Sequence, residues 1–343
     1  MAEDYGTPGS PQSLIAMMQG AASTAALKAG IDLEVFTHIA HGDDTPQKIA
    51  AAKKLPVRST RILCDALVAF GALTKSDGRY SNSSGAQALF VKGSPAYAGG
   101  MSAITASPLI WNELARLTEV VKSGHTLLEN RSAEAEDNPF WQDFARGSRM
   151  MAQLAGPAIA ETAASMFPGG GAPKKILDIA CGSGFYGFSA LKRFPGARLT
   201  SVDWPGVLKH AQANAQQAGV ADRVEFRAGD IFADDLGSGY DLILAPNIYH
   251  HFSLEKNLEL SRRLYAAAAP GGALVVVDMV PDEAREKERF ALAFALTMLI
   301  WTRDGDTYTL SEYRKMLEPA GFREVKLATV PGPAQYQAVL ARK

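Results

Sequence analysis

At 343 residues the chain is long for a single core, and 47% hydrophobic residues suffice for about two. Basic and acidic residues nearly cancel to a net charge of −1, which argues against a protein-wide nucleic-acid footprint. Two distant cysteines, Cys64 and Cys181, lack metal-ligand spacing and fit a reduced, cytoplasmic protein, and the N-terminus MAEDYGTPGS carries no signal region. The longest apolar stretch, Phe290 to Trp301, falls short of the ~20 residues a membrane span needs, so neither membrane nor metal is expected.

Residues 1–12 are polar and rich in glycine and proline, a loose arm. A helical pattern from Ser13 to Ala29 stops at Gly30, read as a terminating glycine before a short apolar turn. Thr45 as N-cap and Pro46 at the first position start a second helix through Lys54. Pro56 starts a third, with Ile62, Leu63, Ala66, Leu67 and Phe70 on one face before Gly71. Leu73-Thr74, the turn Ser76-Asp77-Gly78 and Arg79-Tyr80-Ser81 form a hairpin. Three helices and a hairpin make a winged helix. Between Pro46 and Tyr80 seven basic residues (Lys48, Lys53, Lys54, Arg58, Arg61, Lys75, Arg79) face two acidic ones, which keeps DNA binding in view. Dimerisation is the preferred reading, because the helices are rich in Ala and Leu and the second half reads as an enzyme.

Residues 1–105 are therefore expected as one domain, 106–170 as a helical connector and 171–343 as a second domain. In the connector a loop falls near Gly124, Glu134 to Asp137 is acidic and solvated, and Asn138-Pro139 starts a helix with Phe140, Trp141, Phe144, Met150, Met151 and Leu154. Such a stripe is either core or the wall of a pocket. After the linker Pro168–Gly171, strands (Lys175–Ile179, Arg198–Val202, Val224–Arg227, Asp241–Ala245, Ala273–Val277) alternate with helices (Tyr186–Phe194, Val207–Ala218, Leu254–Ala268). That alternation predicts an α/β fold with a mostly parallel sheet covered on both faces. A long helix, Glu283–Ile300, follows. Ser311–Ala320 is the last helix, and Phe322–Thr329 with Gln335–Ala341 closes the sheet as an antiparallel hairpin about Pro331-Gly332-Pro333.

The chemistry concentrates at strand ends. KKILDIACGSGFYG is a buried strand ending in Asp178 and a glycine turn (Gly182, Gly184, Gly187) that lets a ligand approach the backbone and the next helix N-terminus. The spacing matches G-x-G-x-x-G, a weak signal for dinucleotides by itself. Asp203 ends the second strand, placed for ribose hydroxyls; Asp230 ends the third, placed for an adenine amino group, with Ile231 and Trp204 offering apolar faces. Strand four runs into Pro246-Asn247-Ile248-Tyr249-His250-His251-Phe252. A histidine there lies over the ligand crevice, where a general base is wanted; a helix cap or a metal ligand are the competing roles.

LDIACGSG, SVDWPGVL, AGDIF, NIYHHF, PGGALVVVDMVPD and TLSEYRKMLEPAGF together resemble class I S-adenosylmethionine (SAM) O-methyltransferases of the caffeate/hydroxyindole type, along nearly the whole chain. The resemblance implies a Rossmann-like SAM domain of seven strands behind a winged-helix dimerisation domain, and a homodimer. It implies SAM as cofactor, S-adenosylhomocysteine (SAH) as product and a small-molecule acceptor, without nucleic acid. The expected cofactor site comprises Met151, Asp178, Ala180, Gly182, Gly184, Asp203, Trp204, Asp230, Ile231, Phe232 and Asn247. His250 falls on the family's base and Asp278 on the acid that orients it, where the family usually has glutamate. Thr307 stands where a second acid is expected, with Asp306 adjacent, and Pro246 replaces a lysine. Phe140, Trp141, Phe144, Met150, Tyr249, Phe294, Met298 and Trp301 are the acceptor-pocket candidates. The implied reaction is methylation of a phenolic hydroxyl of a small aromatic or polyketide-like metabolite. C-methylation, including a metal-assisted version through His250 and His251, a non-methylating SAM-bound reaction and a SAM-sensing DNA-binding regulator are the alternatives.

Overall fold

The computed structural model describes residues 9–128, 139–332 and 336–343, and the chain divides into two compact units, Met1–Pro108 and Leu109–Lys343. In the first, α1 (Pro11–Met18), α2 (Gly20–Asp32), α3 (Val35–Ala40), α4 (Pro46–Lys53) and α5 (Val57–Ala69) precede the hairpin β1 (Leu73–Ser76) and β2 (Arg79–Asn82); α6 (Ser84–Phe90) and α7 (Ser102–Thr105) follow. Val35, Phe36, Ile49, Leu67, Leu73 and Tyr80 form its core, so the apolar faces of the helices close on the wing. Asp77 and Gly78 both take positive φ, 48° and 74°, the two-residue turn that matches the twist of a hairpin.

Two expectations change here. The single helix Ser13–Ala29 is two, separated at Gln19, and Gly30 does not end a helix but lies inside α2. A Cβ at Gly30 would come within 3.0 Å of Leu67 and 3.1 Å of Phe36, so the glycine serves close packing. The expected apolar turn is α3, entered through Glu34 at φ 58°. Most of the basic residues that kept DNA binding in view are spent: Lys48 and Arg79 pair with Asp44, Arg61 and Lys75 with Asp65, and Lys53 with Glu34.

The second unit holds α8 (Pro108–Ala115), α9 (Leu117–Ser123), α10 (Pro139–Gly147) and α11 (Arg149–Ala164). Gly124, at φ 79°, ends α9 as expected. The acidic stretch Glu134–Asp137 and the cap at Asn138 lie outside the described residues. Then come β3 (Lys175–Ile179), α12 (Phe185–Arg193), β4 (Arg198–Asp203), α13 (Pro205–Ala218), β5 (Val224–Ala228), β6 (Tyr240–Pro246), α14 (Leu254–Ala267), β7 (Ala268–Asp278), α15 (Arg289–Trp301), α16 (Leu310–Leu317), β8 (Arg323–Thr329) and β9 (Gln337–Arg342).

The seven strands lie in the order β5-β4-β3-β6-β7-β9-β8, the first five parallel and β9 antiparallel to both neighbours. Alternate residues feed opposite cores: Leu177, Ile243 and Leu274 pack on one face with Leu260 and Leu264 of α14, while Ile176, Leu242 and Val275 pack on the other with Ile159 of α11 and Leu191 of α12. Apolar residues at both parities make a sheet that must be covered twice. The order in which successive strands are added reverses between β3 and β6, which opens a crevice at their C-terminal ends.

Several boundaries differ from the sequence pattern. The helix expected from Pro139 through Leu154 is two, α10 and α11, separated at Ser148, and the last helix ends at Leu317 rather than Ala320. The fifth strand begins at Ala268 rather than Ala273, because its first residues continue the pairing across a register shift beside Tyr240. The last hairpin strand begins at Gln337; Pro333, Ala334 and Gln335 fall outside the described residues. The helix expected from Glu283 starts only at Arg289. Asp282 accepts hydrogen bonds from the N–H groups of Glu286 and Lys287, and Glu283 accepts from Ser311, so these carboxylates tie the segment down as a loop.

Candidate functional site

At the crevice lies a cavity of about 300 Å³. The glycine turn forms its floor. Gly184 takes φ 82° with Phe188 packed where a Cβ would stand, and a Cβ at Gly187 would lie 2.7 Å from Asp178 Oδ2. That approach lets Gly187 N–H donate to Asp178 Oδ2 at 3.1 Å. Asp178 is fully buried, its Oδ1 has no partner, and burial pushes its carboxyl well above the usual range, ahead of the opposing Gly187 hydrogen bond.

Asp203 accepts from Gly182 N–H at 2.8 Å and from Trp204 N–H at 2.7 Å. Burial still pushes its pKa up to about 6, because the two backbone donors offset only part of the lost hydration. Ala180, Gly182, Asp203, Trp204, Asp230, Ile231, Phe232 and Asn247 all border the cavity. Along the strand ends this places Asp230 after β5, Asp203 after β4 and the turn after β3. An adenosine would fit that order, its ribose hydroxyls within reach of the Asp203 carboxylate and its base beside Asp230, Ile231 and Phe232. Met151, Asp178 and Gly184 stand behind the wall rather than on it.

Past β6, Tyr249–His251 form one 3-10 turn, in which the His250 and His251 ring centroids lie 4.3 Å apart. His250 Nδ1 lies 2.6 Å from Asp278 Oδ1, and Tyr313 donates its hydroxyl to Asp278 Oδ2 at 2.9 Å. Phe294 stands edge-on to the His250 ring at 5.0 Å. His250 is 3% exposed and does not border the cavity; His251 does. Burial, then the neighbouring His250, holds the His251 imidazole well below its ordinary pKa, and its Nδ1 has no partner. Tyr249 turns away altogether. Expected in the acceptor pocket, it is fully buried against α14, its hydroxyl on Ser261 and its ring 5.6 Å from Tyr313.

Thr307 is buried with its hydroxyl unpartnered, and Asp306 accepts from Thr307 N–H and pairs with Arg285, so neither bonds His250. Phe140 and Trp141 of α10 meet Trp301 of α15 at 4.3 and 6.2 Å, and Trp141 stands edge-on to His251 at 5.3 Å. Trp141 and Phe144 border the cavity, whereas Phe140, Met150, Met298 and Trp301 pack behind them. Sequence reasoning did not single out Tyr186, Lys256, Tyr313 or Tyr336, and weighed His251 as a metal ligand or cap rather than as a cavity residue. Tyr186 and His251 stand inside motifs that were noticed, but Lys256 and Tyr336 reach the cavity only through tertiary packing.

Fold and crevice define a class I SAM-binding enzyme. The chain belongs to the O-methyltransferases: that family's O-methyltransferase domain matches residues 123–323, and its dimerisation domain matches residues 15–92. A 3-hydroxy-5-methyl-1-naphthoate 3-O-methyltransferase of Streptomyces sahachiroi is 29% identical over 94% of this chain and 92% of its own. A solved structure of a candidate O-methyltransferase from Nostoc punctiforme is 34% identical with a TM-score of 0.90, covering 98% of this chain and all of that one. Human N-acetylserotonin methyltransferase, solved with SAM, shares the fold at a TM-score of 0.84 and 23% identity over 98% and 99% of the chains. The cofactor is SAM. Its sulfonium supplies an activated methyl group, and the Asp203 carboxylate and the unpartnered Asn247 Oδ1, both on the cavity, fit its nucleoside and amino-acid parts. No helix among the described residues is long and apolar enough to cross a membrane.

Proposed function

We propose that this chain is a homodimeric O-methyltransferase acting on a phenolic hydroxyl of a small aromatic or polyketide-like metabolite, with His250 as general base. The observation that carries the reading is the relay Tyr313–Asp278–His250. A carboxylate only accepts, so Asp278 selects the tautomer with hydrogen on Nδ1 and leaves the Nε2 lone pair to take a proton. Asp278 then stabilises the charge that forms on the ring. The relay needs no second acid, so Thr307 is assigned no proton of its own. The rest of the protein's task is alignment of the acceptor oxygen with the methyl group, and exclusion of water by Trp141, Phe144 and Phe294.

Residues 106–170 supply that aromatic wall through α10, residues 1–105 the dimer contact, and residues 171–343 the cofactor site. The free, buried thiols of Cys64 and Cys181 suit a reducing cytoplasm. The ion-paired basic residues of the first unit support dimerisation over DNA binding. A naphthol panel, chosen after the Streptomyces relative, with SAM as donor tests the reaction. His250→Ala is expected to leave SAH affinity within about twofold and lower turnover by ~10²–10⁴. His251 is the competing base because it borders the cavity. If His251→Ala reproduces that loss and His250→Ala does not, the assignment passes to His251. Product methylated on carbon would return the chain to C-methylation.

A further inference from the structure

The strand order dictates how the cofactor runs. With adenine at the end of β5 and ribose at β4, the remaining sulfonium and amino-acid parts extend past β3 toward β6, three strand spacings or about 14 Å from the first. Three polar side chains line the cavity there: Asn247 at the end of β6, expected at the cofactor, and two that the cofactor motifs leave without a role, Tyr186 from α12 and Tyr336 at the entry to β9. Asn247 holds a left-handed φ of 52°, and its Nδ2 donates to the Tyr186 hydroxyl oxygen at 3.2 Å. The Tyr336 hydroxyl-bearing ring stands on the same cavity wall as Tyr186 and Asn247.

Counting hydrogens leaves three groups unspent. Asn247 donates to Tyr186, so that phenol keeps its own proton for a ligand, and the Tyr336 phenol has one as well. Asn247 Oδ1 is buried without a partner, an acceptor in need of a donor. Two free donors beside one free acceptor match a zwitterionic amino acid, whose carboxylate accepts and whose ammonium donates.

We propose that Tyr336 and Tyr186 bind the carboxylate of the cofactor's methionine portion and that Asn247 Oδ1 accepts from its ammonium. Tyr336 arrives from the antiparallel hairpin at the far end of the chain. The hairpin thus acts as a selector for the amino-acid end of the cofactor as well as the edge of the sheet. The inference rests on the SAM assignment.

Calorimetric titration of the full chain separates the two, using SAH and 5′-methylthioadenosine, which shares the nucleoside and thioether but lacks the amino acid. Tyr336→Phe removes one oxygen and keeps the ring. It is expected to raise the SAH dissociation constant about tenfold, the loss of one charge-assisted hydrogen bond, while methylthioadenosine changes less than twofold. Tyr186→Phe should show the same selective loss. Unchanged SAH affinity in both variants, or an equal loss for both ligands, overturns the proposal, the second outcome assigning the phenols to packing. Wild-type protein that binds neither ligand would overturn the cofactor assignment and this inference with it.

Discussion

Asp203 is the residue where electrostatics and ligand binding meet. Its folded-state pKa is raised to about 6, so between roughly pH 4 and 6 the folded protein holds a proton that the unfolded chain has released. Stability of the ligand-free protein therefore declines as pH rises through that window, and levels off above it. Binding runs the other way, because ribose hydroxyls donate and favour the carboxylate. SAH affinity should be constant above about pH 7 and weaken by up to tenfold per pH unit below 6. Titrations from pH 5 to 8 check this, and Asp203→Asn should bind more weakly with a flat profile. A wild-type profile that is itself flat would show that this carboxyl stays ionised throughout.

Among the elements, the turn Tyr249–His251 depends on a loop that the chain reaches only some fifty residues later. A Cβ at Gly305 would stand 2.3 Å from the His250 carbonyl oxygen and 2.5 Å from Thr302 Oγ1, and neither backbone nor cap can yield cheaply. Tyr308 closes the same contact by donating its hydroxyl to the Phe252 carbonyl. Gly305→Ala should displace the histidine turn, destabilise the fold by about 1–3 kcal/mol and lower turnover while SAH affinity holds. Denaturant midpoints, calorimetry and methyl transfer on the one variant test all three. The shortened α15 has a related cause: Glu283 and Arg285 are spent on α16, through Ser311 and Glu312, rather than on a helix of their own. Helical periodicity in residues 283–288 carried no sign of those distant partners.

For the whole molecule the expectation is a dimer of twice 36.6 kDa. Within the first unit, α1 leaves Leu14, Ile15, Met17 and Met18 between 53% and 85% exposed, a contiguous apolar face that dimerisation would cover. The double substitution Met17→Glu, Met18→Glu should shift sedimentation toward the monomer, leaving each chain's SAH affinity intact. Dimers that persist unchanged would place the contact elsewhere.

Much of this was legible in the residues themselves, because the relevant physics is local. Short apolar runs closing on Asp178, Asp203 and Asp230, a glycine turn and the hairpin at Asp77-Gly78 each carry their conformation in adjacent residues. The sheet's two covered faces follow from apolar residues at both parities. What only the tertiary structure decided lies between distant segments. Asp278 meets His250 across 28 residues and Tyr313 across 35, and Tyr336 shares the cavity wall with Tyr186 from the other end of the domain. The direction each side chain of Tyr249-His250-His251 takes is equally invisible in sequence: one turn sends them to the core, the relay and the cavity. Local preferences set the elements, but a hydrogen-bond partner or a cavity wall is set by where packing brings the elements together.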